Sequence, residues 1–147
     1  MRLEVAICLP EEAETVALAR TAVTSTLTLF GVTPECVDEI ALALSEACTN
    51  VIQHAHGRED YEVQLGVDDE RCELRVKNAG EGFDAFTLIG VMPDPFSEKG
   101  RGVAIMRSVM DSVDFTSEPE AGTIVHLVKT LSLVAGGPLS RQRRDEP

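Results

Sequence analysis

Residues 33–57 read TPECVDEIALALSEACTNVIQHAHG and predict a long amphipathic helix. Thr33-Pro34-Glu35 is a favourable helix start, because it supplies a capping hydroxyl, a proline in the first helical position and an acid near the positive end of the helix dipole. Gly57 is the natural stop. Apolar residues recur at helical spacing and predict one buried stripe, made of Val37, Ile40, Ala41, Leu44, Cys48, Val51 and Ile52.

The same helix carries a polar strip. Glu46, Asn50 and His54 are spaced by four residues and therefore share one helix face. At about 100° per residue, that face points well away from the centre of the apolar stripe. Taken alone, the strip is more typical of a solvated helix face than of a functional site.

A strand and a helix are predicted before residue 33. Apolar alternation predicts a first strand that ends at Pro10, with inward residues Leu3, Val5, Ile7 and Leu9. A helix over 11–30 follows, and Gly31 closes it. Its predicted inner face consists of Ala13, Val16, Ala17, Val23, Leu27 and Phe30.

Two hairpins are predicted after the long helix. Apolar alternation places the strands of the first hairpin at 61–67 and 72–76, joined by a polar turn. The strands of the second hairpin are expected at 112–117 and 123–131. Both hairpins favour antiparallel pairing.

The segment between the hairpins contains a loop and a helix. Residues 79–99 lack periodicity and predict a long loop, which in a compact domain is often functional. A helix is expected over 102–110. One domain is predicted over 1–132, whereas 133–147 is rich in Gly, Pro and Arg and predicts a disordered tail.

The order of the predicted elements indicates the fold class. Runs of antiparallel strands, with helices segregated to one face, predict an α+β sandwich of two layers. Nothing in the chain matches a βαβ unit. Gly80-x-Gly82 does not open a helix and is therefore only a weak dinucleotide signal.

Composition narrows the classes of function. The 147 residues, 44% apolar and 26% charged, are typical of one globular domain. A formal net charge of −12 disfavours direct binding to nucleic acid or to an anionic membrane, and is compatible with a basic protein partner. The N-terminus does not resemble a signal peptide, so a cytoplasmic location is expected. Free buried thiols are expected at Cys8, Cys36, Cys48 and Cys72, which lack metal-binding spacing.

Four segments carry the candidate chemistry. They are Glu46-Ala47-Cys48-Thr49-Asn50 with His54-Ala55, Gly80-Glu81-Gly82-Phe83-Asp84, Gly100-Arg101-Gly102 through Met106, and Gly122-Thr123. Singly, each is compatible with an ordinary turn or helix terminus. Together and in this order they resemble the motif set of the GHKL ATPase superfamily. Within it, the chain is similar to the RsbW and SpoIIAB type of anti-sigma factor serine/threonine kinase.

The resemblance implies a fold and an activity. The implied fold is a mixed, mostly antiparallel sheet covered on one face by helices, with ATP and Mg²⁺ bound between the layers under a lid over 85–99. The implied activity is an ATP-dependent serine/threonine protein kinase that binds a sigma factor and phosphorylates an anti-anti-sigma partner with a STAS fold. The resemblance also suggests a homodimer.

The resemblance further assigns roles to single residues. Glu46 is the implied catalytic base, and the amide oxygen of Asn50 is the implied ligand of Mg²⁺. Free backbone N–H groups where Gly100-Arg101-Gly102 opens a helix suit phosphate. The complete set implied to bind the nucleotide is Asn50, His54, Asn78, Gly80, Gly82, Gly100, Arg101, Gly102 and Thr123.

One position departs from the family pattern. The first glycine box normally opens with Asp, which accepts a hydrogen bond from the adenine amino group, and this chain has Asn78 there. Asn keeps an acceptor oxygen but loses the charge, which weakens the bond. The departure favours an alternative function, in which the same fold sequesters a partner with little or no catalysis.

Overall fold

The fold is an antiparallel sheet with helices packed on one face. The computed structural model describes residues 1–54, 60–78, 98–118 and 122–145. Its strands are β1 (Leu3–Leu9), β2 (Tyr61–Val67), β3 (Arg71–Asn78), β4 (Ser112–Glu118) and β5 (Gly122–Thr130). Its helices are α1 (Ala13–Leu29), α2 (Pro34–His54), α3 (Glu98–Val109) and α4 (Pro138–Asp145).

The five strands form one sheet in the order β1-β2-β3-β5-β4. Every neighbouring pair in this sheet is antiparallel, so the mixed sheet expected from the sequence is wrong in that detail. The connection explains the pairing of β1 with β2. Because two helices rather than one lie between these strands, the chain runs back and forth once more and enters β2 in the opposite direction.

The core lies between the sheet and the helices. Alternate residues of β2 and β3 are buried, from Tyr61 to Val67 and from Cys72 to Asn78, which leaves the other face of these strands more open. Helix α2 is central, since it packs against α1, α3, β3 and β5. The predicted stripe of α2 is buried or half-buried, and Cys36, Ala43 and Ala47 extend it because neighbours cover α2 on several sides.

The inner face of α1 differs from the prediction. Val23 and Leu27 are buried as expected, but Ala13 and Ala17 are exposed. Two other residues, Thr15 and Ala19, are buried instead. The Thr15 hydroxyl is within 2.9 Å of Pro10 O, 2.7 Å of Glu12 O and 2.8 Å of the Tyr61 hydroxyl. These hydrogen bonds allow the Thr15 hydroxyl to be buried, although apolar periodicity alone did not predict Thr15 in the interior.

The turn between α1 and α2 follows the sequence signals. Gly31 adopts φ 84°, the left-handed conformation that glycine reaches without strain. Helix α2 begins at Pro34, and the Thr33 hydroxyl accepts a hydrogen bond from the Cys36 N–H at 3.4 Å. The predicted stop at Gly57 lies outside the described residues.

Helix α3 begins earlier than predicted, at Glu98 rather than near residue 102. The prediction placed Gly102 at the start of the helix and Gly100 before it, where the low helix propensity of glycine favours a terminus. Burial of Gly102, Val103 and Met106 outweighs that propensity. The loop predicted over 79–99 therefore ends before 98, and the rest of it lies outside the described residues. The second hairpin, β4 and β5, is confirmed.

The disordered tail predicted over 133–147 is corrected by the structure. Leu133 forms a bridge with Val32, and α4 covers Pro138–Asp145. The physical reason is Leu139, which is fully buried, and whose N–H donates to Phe30 O at 3.4 Å. One anchoring leucine within a Gly, Pro and Arg-rich segment leaves too weak a pattern to predict a helix.

Three of the four cysteines are buried as predicted, namely Cys36, Cys48 and Cys72. Cys8 is exposed, because the inward residues of β1 are the odd-numbered ones. Within the described part of the chain, no helix has the length and apolarity needed to cross a membrane.

Candidate functional site

A cavity of about 380 Å³ lies between α2 and α3. Chemistry-bearing residues of both helices meet in its lining. The lining consists of Glu46, Thr49, Asn50 and Gln53 from α2 and Arg101, Gly102 and Ile105 from α3. Four predicted site residues therefore come together here: Glu46, Asn50, Arg101 and Gly102.

The α2 side of the cavity follows from helical spacing. Residues 46, 49, 50 and 53 stand at i, i+3, i+4 and i+7, which places them on one face. Glu46 and Asn50 were predicted from the sequence, whereas Thr49, Gln53 and Ile105 were not predicted as lining residues. The same spacing rule could have added Thr49 and Gln53. Ile105 carries no comparable signal, because only the packing of α3 brings it to the cavity.

Gly102 lies against both polar side chains. A methyl group at its Cα would lie 2.9 Å from Glu46 Oε2 and 3.6 Å from Asn50 Oδ1. The oxygens of the predicted base and of the predicted metal ligand thus approach the same point of α3. Glycine leaves the room that this approach needs.

Asn50 is almost completely buried, with 3% of its surface exposed. Its Nδ2 has no hydrogen-bond partner among the described residues. A buried polar group without a partner costs about 1–3 kcal/mol, so its presence needs a reason. Binding of a polar ligand in the cavity supplies one.

The residues of the cavity fit a magnesium ion that reaches the site with a nucleotide. Mg²⁺ prefers oxygen ligands, keeps several waters and takes few ligands from the protein. Asn50 Oδ1 provides one such oxygen, near the Glu46 carboxylate. Among the described residues there is no group of three or more His, Cys, Asp and Glu side chains able to bind a metal by itself. The fit is therefore to a metal held jointly by Asn50 and a ligand.

The α3 side of the cavity combines a positive charge with the helix N-terminus. Arg101 is exposed at the cavity, and Gly100 lies in the first turn, where backbone N–H groups have no helical acceptor. Gly102 is the fifth residue of α3. The role of Gly102 toward phosphate stays a prediction.

Asn78 and Thr123 lie at neighbouring strand ends. Asn78 is the last residue of β3 and is 2% exposed, on the helix-facing side of the sheet with Val76. Lys77 pairs with Ile124, so the antiparallel register places the backbone of Asn78 beside Thr123. Asn78 does not line the cavity between α2 and α3. The side chain of Thr123 lies outside the described part of the structure, so its role stays a prediction.

Three predicted site features lie outside the described part of the structure. They are the side chain of His54, the glycines Gly80 and Gly82, and the segment 85–97 of the predicted lid. Their roles stay predictions.

A buried polar cluster lies on the inner side of α2. The Tyr61 hydroxyl is 2.8 Å from the Thr15 hydroxyl, and Cys48 is close to Tyr61. Burial raises the pKa of Tyr61 to about 12 and that of Cys48 to about 12, since an anion is poorly solvated there. Both groups stay neutral at neutral pH and serve as structural supports for α2.

Comparison with known proteins identifies the family. Residues 9–129 match the family described as histidine kinase-like ATPase domain. The serine-protein kinase RsbW of Bacillus velezensis is 31% identical over 136 residues, which cover 84% of this chain and 83% of that protein. The anti-sigma F factor of Oceanobacillus iheyensis is 30% identical over 139 residues, covering 90% of this chain and 95% of that protein.

A solved structure supports the fold. A crystal structure of the RsbU and RsbW domains of a Mycobacterium tuberculosis protein superposes with a TM-score of 0.69 at 16% identity. The match covers 90% of this chain and 34% of that longer one. The resemblance inferred from the four motifs is therefore confirmed, and the chain belongs to the histidine kinase-like ATPase domain family, in the group that includes RsbW and the anti-sigma F factors.

Proposed function

We propose that this chain is an ATP-dependent serine/threonine protein kinase that acts as an anti-sigma factor in the cytoplasm. It binds a sigma factor, and it phosphorylates a STAS-type anti-anti-sigma partner. One observation carries the proposal: Glu46 Oε2 and Asn50 Oδ1 approach the same point of α3, in a cavity beside the N-terminal turn of that helix. The names of the relatives support the activity.

Phosphoryl transfer suits this small set of side chains. The reaction needs mainly positioning and neutralisation of charge. The hydroxyl oxygen of the acceptor serine bonds to the γ-phosphorus of ATP, the bond to the bridging oxygen breaks, and ADP leaves with that oxygen. Glu46 takes the hydroxyl proton as general base. Its half-buried carboxylate at the cavity is compatible with that role.

The phosphates are bound by α3 and by Asn50. The free N–H groups of the first turn of α3, near Gly100, and the positive charge of Arg101 favour a triphosphate. Asn50 would hold Mg²⁺, which neutralises phosphate charge when it is bound. Mg²⁺ would use Oδ1, so Asn50 Nδ2, which has no hydrogen-bond partner among the described residues, is proposed to donate to an oxygen of the bound nucleotide.

The adenine of ATP is proposed to bind where β3 ends and β5 begins. Asn78 and Thr123, neighbours by register, supply an acceptor oxygen and a hydroxyl for the base. His54, Gly80 and Gly82 are proposed to complete the nucleotide site, and residues 85–97 its lid.

The partners are proposed from the family and from charge. One relative is named as a serine-protein kinase and another as an anti-sigma F factor. A formal net charge of −12 is suited to a partner with a basic surface, because complementary charge accelerates association. A homodimer is part of the same proposal.

The activity is tested with purified protein, a STAS-domain anti-anti-sigma protein, ATP and Mg²⁺, with phosphate transfer followed by mass spectrometry. Glu46→Gln keeps the size of the side chain but removes the base, so transfer should fall by about 10²–10⁴-fold. Nucleotide affinity should stay nearly unchanged.

Glu35→Gln is the matched control, because Glu35 is exposed in the first turn of the same helix and does not line the cavity. It should leave transfer intact. Loss of nucleotide binding in Glu46→Gln would remove Glu46 from the role of base.

A second candidate function is sequestration of the partner with weak or absent catalysis. Asn78 favours it, because a neutral amide replaces the charged acceptor that the family pattern places against adenine. Under this alternative the chain binds the sigma factor equally well with and without ATP, and no phosphate reaches the STAS protein.

A further inference from the structure

Gly102 leaves a space that two side chains of α2 fill. A Cβ at this position would lie 2.9 Å from Glu46 Oε2, a separation that real Cβ atoms essentially never show, and 3.6 Å from Asn50 Oδ1, which is ordinary contact. Any larger residue at 102 therefore displaces the Glu46 carboxylate, which as the end of a flexible side chain can shift at low cost.

The backbone conformation of Gly102 does not require glycine. Its φ is not in the left-handed region, since among the described glycines only Gly31 and Gly136 have positive φ. A backbone N–H is supplied by any residue except proline, so a donor to phosphate would not by itself require glycine either. What glycine supplies at this contact is the missing side chain.

Helix α3 cannot easily retreat to make room for a side chain. Val103 and Met106 are buried in the core. At the C-terminal end of α3, the Lys129 ammonium donates to Val109 O and pairs with Glu39 of α2 at 2.8 Å. A crowded position 102 is therefore relieved by displacement of Glu46 rather than of the helix.

We infer that Gly102 is a positioning residue for Glu46. Its bare Cα sets how closely the Glu46 carboxylate lies against α3, and so fixes where that carboxylate meets the proton of the acceptor hydroxyl. The catalytic part of this inference rests on the proposed kinase function, whereas the contact between Gly102 and Glu46 does not.

The first test separates positioning from nucleotide binding. Gly102→Ala moves the carboxylate by a few tenths of an ångström, and misplacement of a reacting group lowers the rate, so kcat should fall by about tenfold. KM for ATP should stay within about twofold, since the nucleotide contacts are retained. A raised KM for ATP with unchanged kcat would assign Gly102 to the phosphates and overturn the inference.

The second test measures the contact without using activity. Melting temperatures are compared for the wild type, Gly102→Ala, Glu46→Ala and the double variant. Alanine has the higher helix propensity. With Glu46→Ala the nearest remaining atom is Asn50 Oδ1, so Gly102→Ala should raise the melting temperature in that background. In the wild-type background the rise in melting temperature should be smaller, because the Glu46 carboxylate must shift away from the new methyl group.

Ser108→Ala is the matched control, because Ser108 is exposed on α3. It should change the melting temperature by the same amount with Glu46 present and with Glu46→Ala. Equal shifts for Gly102→Ala in both backgrounds would overturn the inference even if the kinase is active. If Gly102→Ala alone does not fold, a folded double variant supports the contact and an unfolded one contradicts it. Absence of transfer by the wild type would overturn the proposed function and the catalytic role, while unequal melting shifts in the two backgrounds would still establish the contact.

Discussion

At the scale of single residues, the site combines what spacing predicts with what packing alone determines. Glu46 and Asn50, four residues apart on α2, were selected from the sequence and do meet in one cavity. The relation between Gly102 and Glu46 could not be predicted, because it depends on how α3 packs against α2. Helical periodicity identifies a face, whereas a contact between two faces needs the tertiary structure.

Asn78 is the residue at which the proposed nucleotide site departs from the family pattern, and its substitution tests the affinity for adenine. Asn78→Asp restores a charged acceptor, and a charge-assisted hydrogen bond is stronger by about 1 kcal/mol, which is roughly fivefold in affinity. We expect calorimetry to show tighter binding of ATP. ADP should gain by the same factor, since both nucleotides carry the adenine. Weaker binding of both would show that the adenine does not lie against residue 78.

At the scale of secondary-structure elements, a strong apolar periodicity was sufficient to predict a helix or a hairpin, whereas a single buried residue was not. The long apolar stripe predicted α2, and alternation predicted both hairpins. The start of α3 was misplaced because the glycines at 100 and 102 lower helix propensity while burial favours the helix. Helix α4 was missed because a single buried leucine, Leu139, docks it beside the α1–α2 turn.

The docking of α4 is tested by Leu139→Ala. Truncation of a fully buried leucine should lower the free energy of unfolding by about 2–5 kcal/mol, measured by urea denaturation. Leu18→Ala is the control, because Leu18 is 61% exposed on α1 and its truncation should change stability by less than about 0.5 kcal/mol. Similar small effects in both variants would mean that α4 does not contribute to the core.

At the scale of the whole molecule, the two-layer arrangement was predictable and the pairing of the strands was less so. Helices on one face of a sheet follow from the order of the elements. The antiparallel pairing of β1 with β2 depends on the two helices that lie between these strands. The segments 79–97 and 55–59 lie outside the described residues, so the predictions made for them stay predictions.

The packing of the helices on the sheet predicts different reactivities for the four cysteine thiols. Burial raises the pKa of Cys48 and of Cys72 to about 12, so both thiols stay protonated and shielded, and Cys36 is also buried. Cys8 is exposed. A thiol reagent at mildly alkaline pH should therefore label Cys8 rapidly in the native protein and all four cysteines after denaturation. Rapid native labelling of Cys48 or Cys72 would contradict the packing of α2 on the sheet.

The central claim, that the cavity between α2 and α3 binds the phosphates of ATP through Asn50 and a metal, is tested most directly by calorimetric titration of the wild type and Asn50→Ala with ATP, with and without Mg²⁺. We expect Mg²⁺ to tighten ATP binding to the wild type, and this gain to disappear in Asn50→Ala while binding without Mg²⁺ is retained. An equal magnesium dependence in both proteins, or no binding of ATP by the wild type, would contradict the account.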